Sequence, residues 1–301
     1  MIRNSLLFIV SLALISSCQS KKSKLTDAGL DMPDSIEIAA DLQISEEAMD
    51  EIVQNVSSPI EMAALIKEIG TEFSADYLAT TDYVDRYNTS YQMALILGVF
   101  GADLGYLNIY EKNTQIVDYL TSINKLADGI KVGQFFDFAT MKRLSTSRDN
   151  MDSLMYISVN SFNNMDSYLR ETQRGHLSAL MITGIWVEGM YLATQVATEN
   201  TNQALYNRIG EQKLNLNNLF LILNAYRGQK QIQDLIDLLN EIKMEFDKVE
   251  ITYEMGEPAT VEKEGMVMIV QNEKSIVNIT DEQMKKIIRK TEEIRNKLIE
   301  T

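Results

Sequence analysis

Apolar residues recur every three to four positions along most of this chain, which is the spacing of amphipathic helices. Proline, the commonest helix breaker, is absent from residues 60 through 257. The pattern predicts an all-α protein, a multi-helix bundle of antiparallel long helices. Its elements are a helix from Pro59 to Gly70, helices over 89–112, 114–129, 147–172, 176–198 and 229–247, a short one after Gly133, one from Asn200 or Thr201 to Gly228, and a terminal one from Thr280 to about Leu298.

One segment near the C-terminus departs from the helical period. Residues 249–254 alternate apolar and polar side chains, as a strand does. We predict that Met266–Val270 and Ser275–Ile279 pair as a hairpin around Asn272-Glu273-Lys274. A capping box at Thr280-Asp281-Glu282-Gln283 then opens the last helix. The resulting β excursion, about 249–279, is either a surface flap or helix connector, or a partner-binding edge.

The first 18 residues have the pattern of a secretory signal. Arg3 precedes the apolar run Leu6–Ile15, which is too short to span a bilayer, and small residues lead to Cys18, the one cysteine of the chain. The stretch Ile15-Ser16-Ser17-Cys18 resembles the lipobox of a bacterial lipoprotein. That resemblance implies cleavage before Cys18 and acylation of its thiol and of the new amino terminus.

The domain organisation follows from this signal. We expect a signal peptide over 1–17, a lipidated flexible tether over 18–44 that is polar and without sustained period, and a helical domain over 45–301. Removing 1–17, which carries only Arg3, changes the net charge from −15 to about −16. So acidic a chain is a poor partner for nucleic acid. With Cys18 acylated the mature body has no thiol, so core packing has to stabilise it without disulfides.

Two acidic residues inside apolar helices are the best candidates for a pocket. Asp103 lies within Leu97–Tyr106 and Glu188 within Gly184–Tyr191. A weak internal repeat at an offset of 85 residues aligns these two acids. It also aligns Tyr106 with Tyr191, each of which follows its acid at i+3 and is able to donate a hydrogen bond to it.

Packing of the two helices against each other would bring Asp103 and Glu188 together in the interior. Burial and mutual proximity would raise their pKa values, as a general acid–base pair requires. The same oxygens would also suit a hard cation. The plainer alternative is that tyrosine, backbone or a water-filled crevice satisfies each carboxylate and no ligand binds. Gly98, Gly101 and Gly105 share one helix face and predict the close approach of a neighbouring backbone.

The sequence gives no support for other common kinds of catalytic, metal or nucleotide site. His176 is the only histidine, and no nucleophile elbow accompanies it. Zinc sites of several His or Cys ligands and di-iron bundles with Glu-x-x-His units are excluded by count. Neither a phosphate-binding glycine loop nor a dinucleotide fingerprint occurs. We therefore predict no cofactor and no metal, and a protein that is more plausibly not an enzyme.

The anchor, the helix Ala94–Leu107 with its Gly-x-x-Gly-Ala-Asp-Leu core, and the ending from Ile279 to Asn296 resemble uncharacterised helical lipoproteins of Bacteroidota. This resemblance implies a cell-envelope address and a fold class, and no reaction. Surface-exported lipoproteins of that group carry acidic residues after the cysteine, whereas Gln19-Ser20-Lys21-Lys22 follow it here. The resemblance thus favours the periplasmic face of the outer membrane.

The functional expectation is a lipid-anchored, non-catalytic envelope protein. It would attach to the membrane through its lipid and bind a protein or small ligand through its helical body. The alternative is a carboxylate-dependent hydrolase or metal-binding protein centred on Asp103 and Glu188. That alternative requires the two side chains to lie close together and to face a cavity.

Overall fold

The computed structural model of the chain describes residues 53, 65–146, 150–256, 259–263, 266–270 and 273–300. All of them belong to one compact unit, Gln43–Thr301. The predicted signal peptide, Cys18 and the tether over 18–44 lie outside the described residues. So does the predicted start of the helix at Pro59, whose end at Gly70 is described and has a left-handed backbone with φ of 79°.

The described residues form an all-α fold with one small β excursion, so the predicted fold class is confirmed. Three short 3₁₀ segments, Ala75–Tyr77, Thr81–Arg86 and Gly133–Phe135, were not predicted. The α-helices agree closely with the predicted ranges. They are α1 (Ser90–Ile109), α2 (Asn113–Gly129), α3 (Phe138–Leu144), α4 (Met151–Glu171), α5 (Gly175–Glu199), α6 (Gln203–Asn224), α7 (Lys230–Phe246) and α8 (Asp281–Glu300).

Helices α1 and α5 cross at two glycines in the centre of the core. A Cβ atom added to Gly98 would overlap the carbonyl oxygen of Met181, and one added to Gly184 would overlap the carbonyl oxygen of Leu95. Only glycine allows the two backbones to approach so closely. The close approach predicted for Gly98 is therefore confirmed, and Gly184 makes the reciprocal contact from the other helix. The same prediction is wrong for Gly101 and Gly105, because an added Cβ would meet the side chain of Phe162 at Gly101 and no atom within 4 Å at Gly105.

The helices of the core do not all alternate in direction. The contacts of α1 and α5 advance from Leu95 beside Gly184 to Asp103 beside Glu188, so these two helices run parallel. Helix α4 is joined to α5 by residues 172–174 alone, and Ser178 of α5 hydrogen-bonds to Asp166 of α4 across that connection, so α5 folds back along α4. The predicted antiparallel arrangement thus holds for these neighbours in sequence but not for the central pair.

Helices α1 and α5 are long and apolar enough to cross a membrane by length and composition alone. Core helices of water-soluble proteins pass the same test. Their most apolar windows are 78% and 100% buried by the rest of the chain, respectively. Both helices thus lie in the core, which is the surrounding that their composition requires.

The β excursion pairs differently from the prediction. Strand β1 (Glu250–Met255) pairs antiparallel with β4 (Glu273–Asn278), and β2 (Ala259–Lys263) pairs antiparallel with β3 (Met266–Val270). The predicted pairing of Met266–Val270 with Ser275–Ile279 around Asn272-Glu273-Lys274 is wrong. Met266–Val270 pairs instead with the strand that precedes it, so the reversal falls between β2 and β3.

Candidate functional site

The two predicted acids meet in the interior between α1 and α5. Asp103 and Glu188 are each 0% exposed, and their carboxyl groups lie close enough together for the charge of Glu188 to raise the pKa of Asp103. Asp103 Oδ2 accepts a hydrogen bond from the backbone N–H of Ala79 at 3.1 Å. No N–H or O–H of the described residues donates to Asp103 Oδ1. Two carboxylates have no donor to share, so a hydrogen bond between these carboxyl groups requires a proton on one of them.

An arginine that the sequence analysis did not single out completes this cluster. Arg295 of α8 donates from Nε to Glu188 Oε2 at 3.0 Å and from Nη2 to Glu188 Oε1 at 2.9 Å. Its Nη2 also donates to the carbonyl oxygen of Tyr77 at 3.4 Å, and its guanidinium lies 4.3 Å from the ring centroid of Tyr191. The Arg295 side chain is only 7% exposed. This bidentate, desolvated geometry is the strong form of an Arg–carboxylate pair.

The surroundings act differently on the two acids. Burial, followed by the negative charge of Glu188, holds the pKa of Asp103 well above its usual range, against the opposing effects of Arg295 and Ala79. Burial also raises the pKa of Glu188, but the charge and the two hydrogen bonds of Arg295 counteract it. Arg295 therefore favours the ionised form of Glu188, and Asp103 keeps its proton to higher pH than an ordinary aspartic acid does. With that proton bound, the cluster is neutral as a whole, which is the state that deep burial favours.

The two tyrosines expected to serve these acids have other partners. The Tyr106 hydroxyl accepts a hydrogen bond from the Ser74 N–H at 3.2 Å, and its ring stacks on Phe73 with centroids 5.5 Å apart. Tyr191 presents its ring to Arg295. Within the described residues neither hydroxyl hydrogen-bonds to its own acid: Asp103 accepts from the Ala79 N–H, and Glu188 accepts from Arg295.

The cluster is built to hold the fold together. It joins α1, α5, α8 and the segment Tyr77–Ala79, which are far apart in sequence. The Tyr119 hydroxyl reinforces that segment by donating to the carbonyl oxygen of Ala79. Among the described residues no group of three or more His, Cys, Asp or Glu side chains is placed to hold a metal ion. Neither acid has exposed surface, so neither is accessible to a substrate in this structure.

The sequence of α8 does show that Arg295 occupies an unusual position for a charged residue. The buried positions of α8 include Met284, Ile287, Ile294 and Leu298, which form one apolar stripe at helical spacing. Arg295 falls within that stripe. A charged residue on the buried face of an amphipathic helix indicates an interior partner of opposite charge, and Glu188 is that partner.

His176 lies apart from this cluster, as the second residue of α5. Its ring meets Tyr226 edge-on, with centroids 6.4 Å apart. Partial burial, followed by the charge of Arg174, lowers its pKa below 6.5. The histidine is therefore neutral at pH 7 and packs against an aromatic ring.

A cavity of about 50 Å³ lies between α1, α4 and α5, on a side of α1 that does not carry Asp103. Asp103 is rotated by about 200° from Gly101 around the helix axis. We call this space the α1–α4–α5 cavity. Its lining includes Val53, Gly101, Gly105, Asn108, Phe162 and Asp166.

A second cavity of about 220 Å³ lies nearer the surface. It is bounded by residues of the segment 79–87 and by the end of α8 at Ile299 and Glu300. The hydroxyl of Tyr87 donates to the carbonyl oxygen of Ile299 at 2.9 Å on its wall. Neither cavity is lined by Asp103 or Glu188.

Comparison of the chain with models of protein families, with curated protein sequences and with solved structures gives no match.

Proposed function

We propose that this chain is a non-catalytic, lipid-anchored protein of the cell envelope that binds a partner molecule through its helical body. The anchor is the N-terminal pattern ending at Cys18, and the address is the periplasmic face of the outer membrane. The proposal that the protein is non-catalytic is supported by the buried cluster of Asp103, Glu188 and Arg295. Its acids are wholly buried, and Arg295 makes a bidentate pair with Glu188.

The alternative, a carboxylate-dependent hydrolase or metal-binding protein, has one feature in its favour. Asp103 and Glu188 do lie together, with raised pKa values. Catalysis would further require that a substrate or cation reach them. Arg295 occupies the position that a cation would take, and it would have to leave before one could bind. The binding role is therefore the better supported of the two.

The anchor is tested by mass spectrometry of the protein purified from its native envelope. We expect a chain that begins at Cys18 and carries acyl groups, and a Cys18→Ala variant that carries none. An intact, unacylated amino terminus on the native protein would contradict the proposed address.

The binding role is tested by crosslinking in living cells. We expect the wild-type protein to yield a specific adduct that survives stringent washing. The matched control is a lipoprotein made of the same 44 N-terminal residues fused to an unrelated soluble domain, which should not yield that adduct. Identical adducts from both proteins would remove the support for recognition by the helical body.

A further inference from the structure

Residues 71–79, which we call the strap, lie between the buried cluster and the solvent. They contain one short 3₁₀ turn, Ala75–Tyr77, and no α-helix or strand. Only Tyr77 and Ala79 of the strap are buried, and its other seven residues are partly or fully exposed. No backbone group of the strap hydrogen-bonds to the backbone of another element among the described residues. A segment with few buried residues and no such ladder belongs to the part of a fold that opens most readily.

The buried cluster holds the strap by its backbone. The Ala79 N–H donates to Asp103 Oδ2 at 3.1 Å. The carbonyl oxygen of Tyr77 accepts from Arg295 Nη2 at 3.4 Å. The strap therefore covers the cluster and is attached to it at two successive odd-numbered residues, which are also its two buried ones.

Tyrosine side chains of α1 and α2 make further bonds to the strap backbone. The hydroxyl of Tyr110 donates to the carbonyl oxygen of Thr71 at 2.7 Å, and the hydroxyl of Tyr119 donates to that of Ala79. Each partner is a side chain that projects from a helix. When the strap leaves, water can replace it at every one of these bonds, and the hydrogen-bond ladders of the helices stay intact.

Space for water already exists at the end of the strap. Ala79 lines the cavity of about 220 Å³ between the segment 79–87 and the end of α8. The backbone N–H of the same residue bonds to Asp103, which has no exposed surface. Ala79 thus separates this cavity from the buried acids, and its departure would admit water to them.

We propose that the strap opens as a unit while the helices beneath it stay folded, and that ionisation of Asp103 favours the open state. This inference goes beyond the proposed function and does not depend on it. In the closed state a charged Asp103 would have one donor, the Ala79 N–H, and would face the negative charge of Glu188 in the interior. In the open state water solvates both acids, so a second negative charge costs less free energy.

The groups that face Asp103 are one cation, one acid and three tyrosines. Arg295 of α8 is the cation, and Glu188 of α5 is the acid. Burial raises the pKa of each tyrosine, so all of them stay neutral: Tyr106 of α1, Tyr119 of α2 and Tyr191 of α5. The strap brings only uncharged backbone groups to the cluster. Asp103 is therefore the group whose titration changes the charge under the strap.

The direction of the pH effect follows from the two states of Asp103. Burial, followed by the charge of Glu188, holds its pKa well above the usual range when the strap is closed. In water the pKa of an aspartic acid is near 3.9. Between these two values opening releases a proton, so a rise in pH favours the open strap. Below the lower value and above the higher one, this residue contributes no pH dependence.

The test is amide hydrogen exchange of the purified full chain, measured by mass spectrometry on peptides from the strap and from α1. We expect the strap to be less protected than α1. Between pH 5.5 and 8 its protection factor, corrected for the intrinsic exchange rate, should fall by up to about tenfold per pH unit. Asp103→Asn should remove that dependence, whereas Asp237→Asn, at an exposed position, should keep it.

Two outcomes of this measurement would overturn the inference. Equal protection of the strap and α1 would show that the strap opens only when the whole protein unfolds. A strap that opens locally, but with the same pH dependence in the wild type and in a folded Asp103→Asn protein, would exclude control by Asp103.

Tyr119→Phe tests the attachment of the strap without changing any charge. It removes the hydroxyl that donates to the carbonyl oxygen of Ala79. At constant pH the strap should exchange about fivefold faster, the factor that corresponds to one net hydrogen bond, and α1 should exchange less than the strap does. Tyr156→Phe is the matched control, because Tyr156 is 70% exposed on α4, and it should leave exchange of the strap unchanged. Equal strap exchange in the two variants would contradict the proposed attachment.

Discussion

Replacing Asp103 by asparagine should remove a pH dependence of stability that the buried cluster creates. The asparagine has the shape of the protonated aspartic acid. Its amide N–H₂ can donate to Glu188 as the proposed carboxyl proton does, and its oxygen can accept from the Ala79 N–H. The substitution therefore preserves the hydrogen bonds and removes only the titrating proton.

The sign of the effect follows from the direction of the Asp103 pKa shift. Unfolded aspartic acid titrates near pH 3.9, whereas the folded pKa of Asp103 is well above that. Between the two pKa values the folded protein holds a proton that the unfolded chain has released. The free energy of unfolding therefore falls as the pH rises through this window, by about 1.4 kcal/mol per pH unit. Below the unfolded pKa, and above the folded one, the slope from this residue is zero.

The measurement is urea unfolding of the wild type and of Asp103→Asn at several pH values between 5.5 and 8. We expect the variant to gain stability relative to the wild type as the pH rises, at up to about 1.4 kcal/mol per unit. Asp237→Asn, at an exposed position of α7, is the matched control and should leave the slope unchanged. Parallel curves for the wild type and Asp103→Asn would refute the protonated state assigned to Asp103.

Three further predictions concern the stability of the fold. Glu188→Gln should lower the free energy of unfolding, measured by urea unfolding, by about 3–5 kcal/mol because it leaves Arg295 buried without its counter-ion. The double variant Glu188→Gln/Arg295→Met should lose less free energy than the two single variants combined. Gly98→Ala should lower the free energy of unfolding by about 1–3 kcal/mol because its Cβ overlaps the Met181 carbonyl oxygen. Gly105→Ala, whose Cβ meets no atom within 4 Å, should be neutral or stabilising. Equal melting temperatures for the two variants would contradict the close crossing of the two backbones. Thr89→Ala should lower the free energy of unfolding by about 1 kcal/mol, because it removes the hydrogen bond that the Thr89 hydroxyl accepts from the Gln92 N–H at 3.2 Å. Thr89→Ser keeps a hydroxyl at this position and should retain most of that stability.

The helices were predictable because the sequence of each helix and of its ends contains the pattern that indicates it. The apolar period, the capping boxes at Thr89 and Thr280 and the glycines at helix ends are all short-range signals. The hairpin was mispaired for the same reason. Strand pairing depends on which distant segment completes the ladder, and no local signal shows that β3 pairs with β2 and β4 with β1.

The candidate site was predictable only in part. The 85-residue offset aligned Asp103 with Glu188, and the structure does place these two side chains in contact. Their third partner was missed because Arg295 lies 107 residues beyond Glu188 in the chain. No local pattern connects residues so far apart. Asn108 was not predicted either: its Oδ1 accepts no hydrogen bond from the part of the chain that the structure describes, and this depends on how three helices pack.

The two acids occupy equivalent positions in the aligned helices, yet their hydrogen-bond partners differ. The difference originates in the last helix, because Arg295 reaches Glu188 from α8 and makes both of its carboxylate bonds there. Asp103 receives a single backbone N–H, which is too little to keep a second buried negative charge. One guanidinium between two carboxyl groups thus leaves one proton in the cluster and a net charge of zero. Helix α8 is in this sense part of the core, since its removal would leave Glu188 as an uncompensated charge at the centre of the protein.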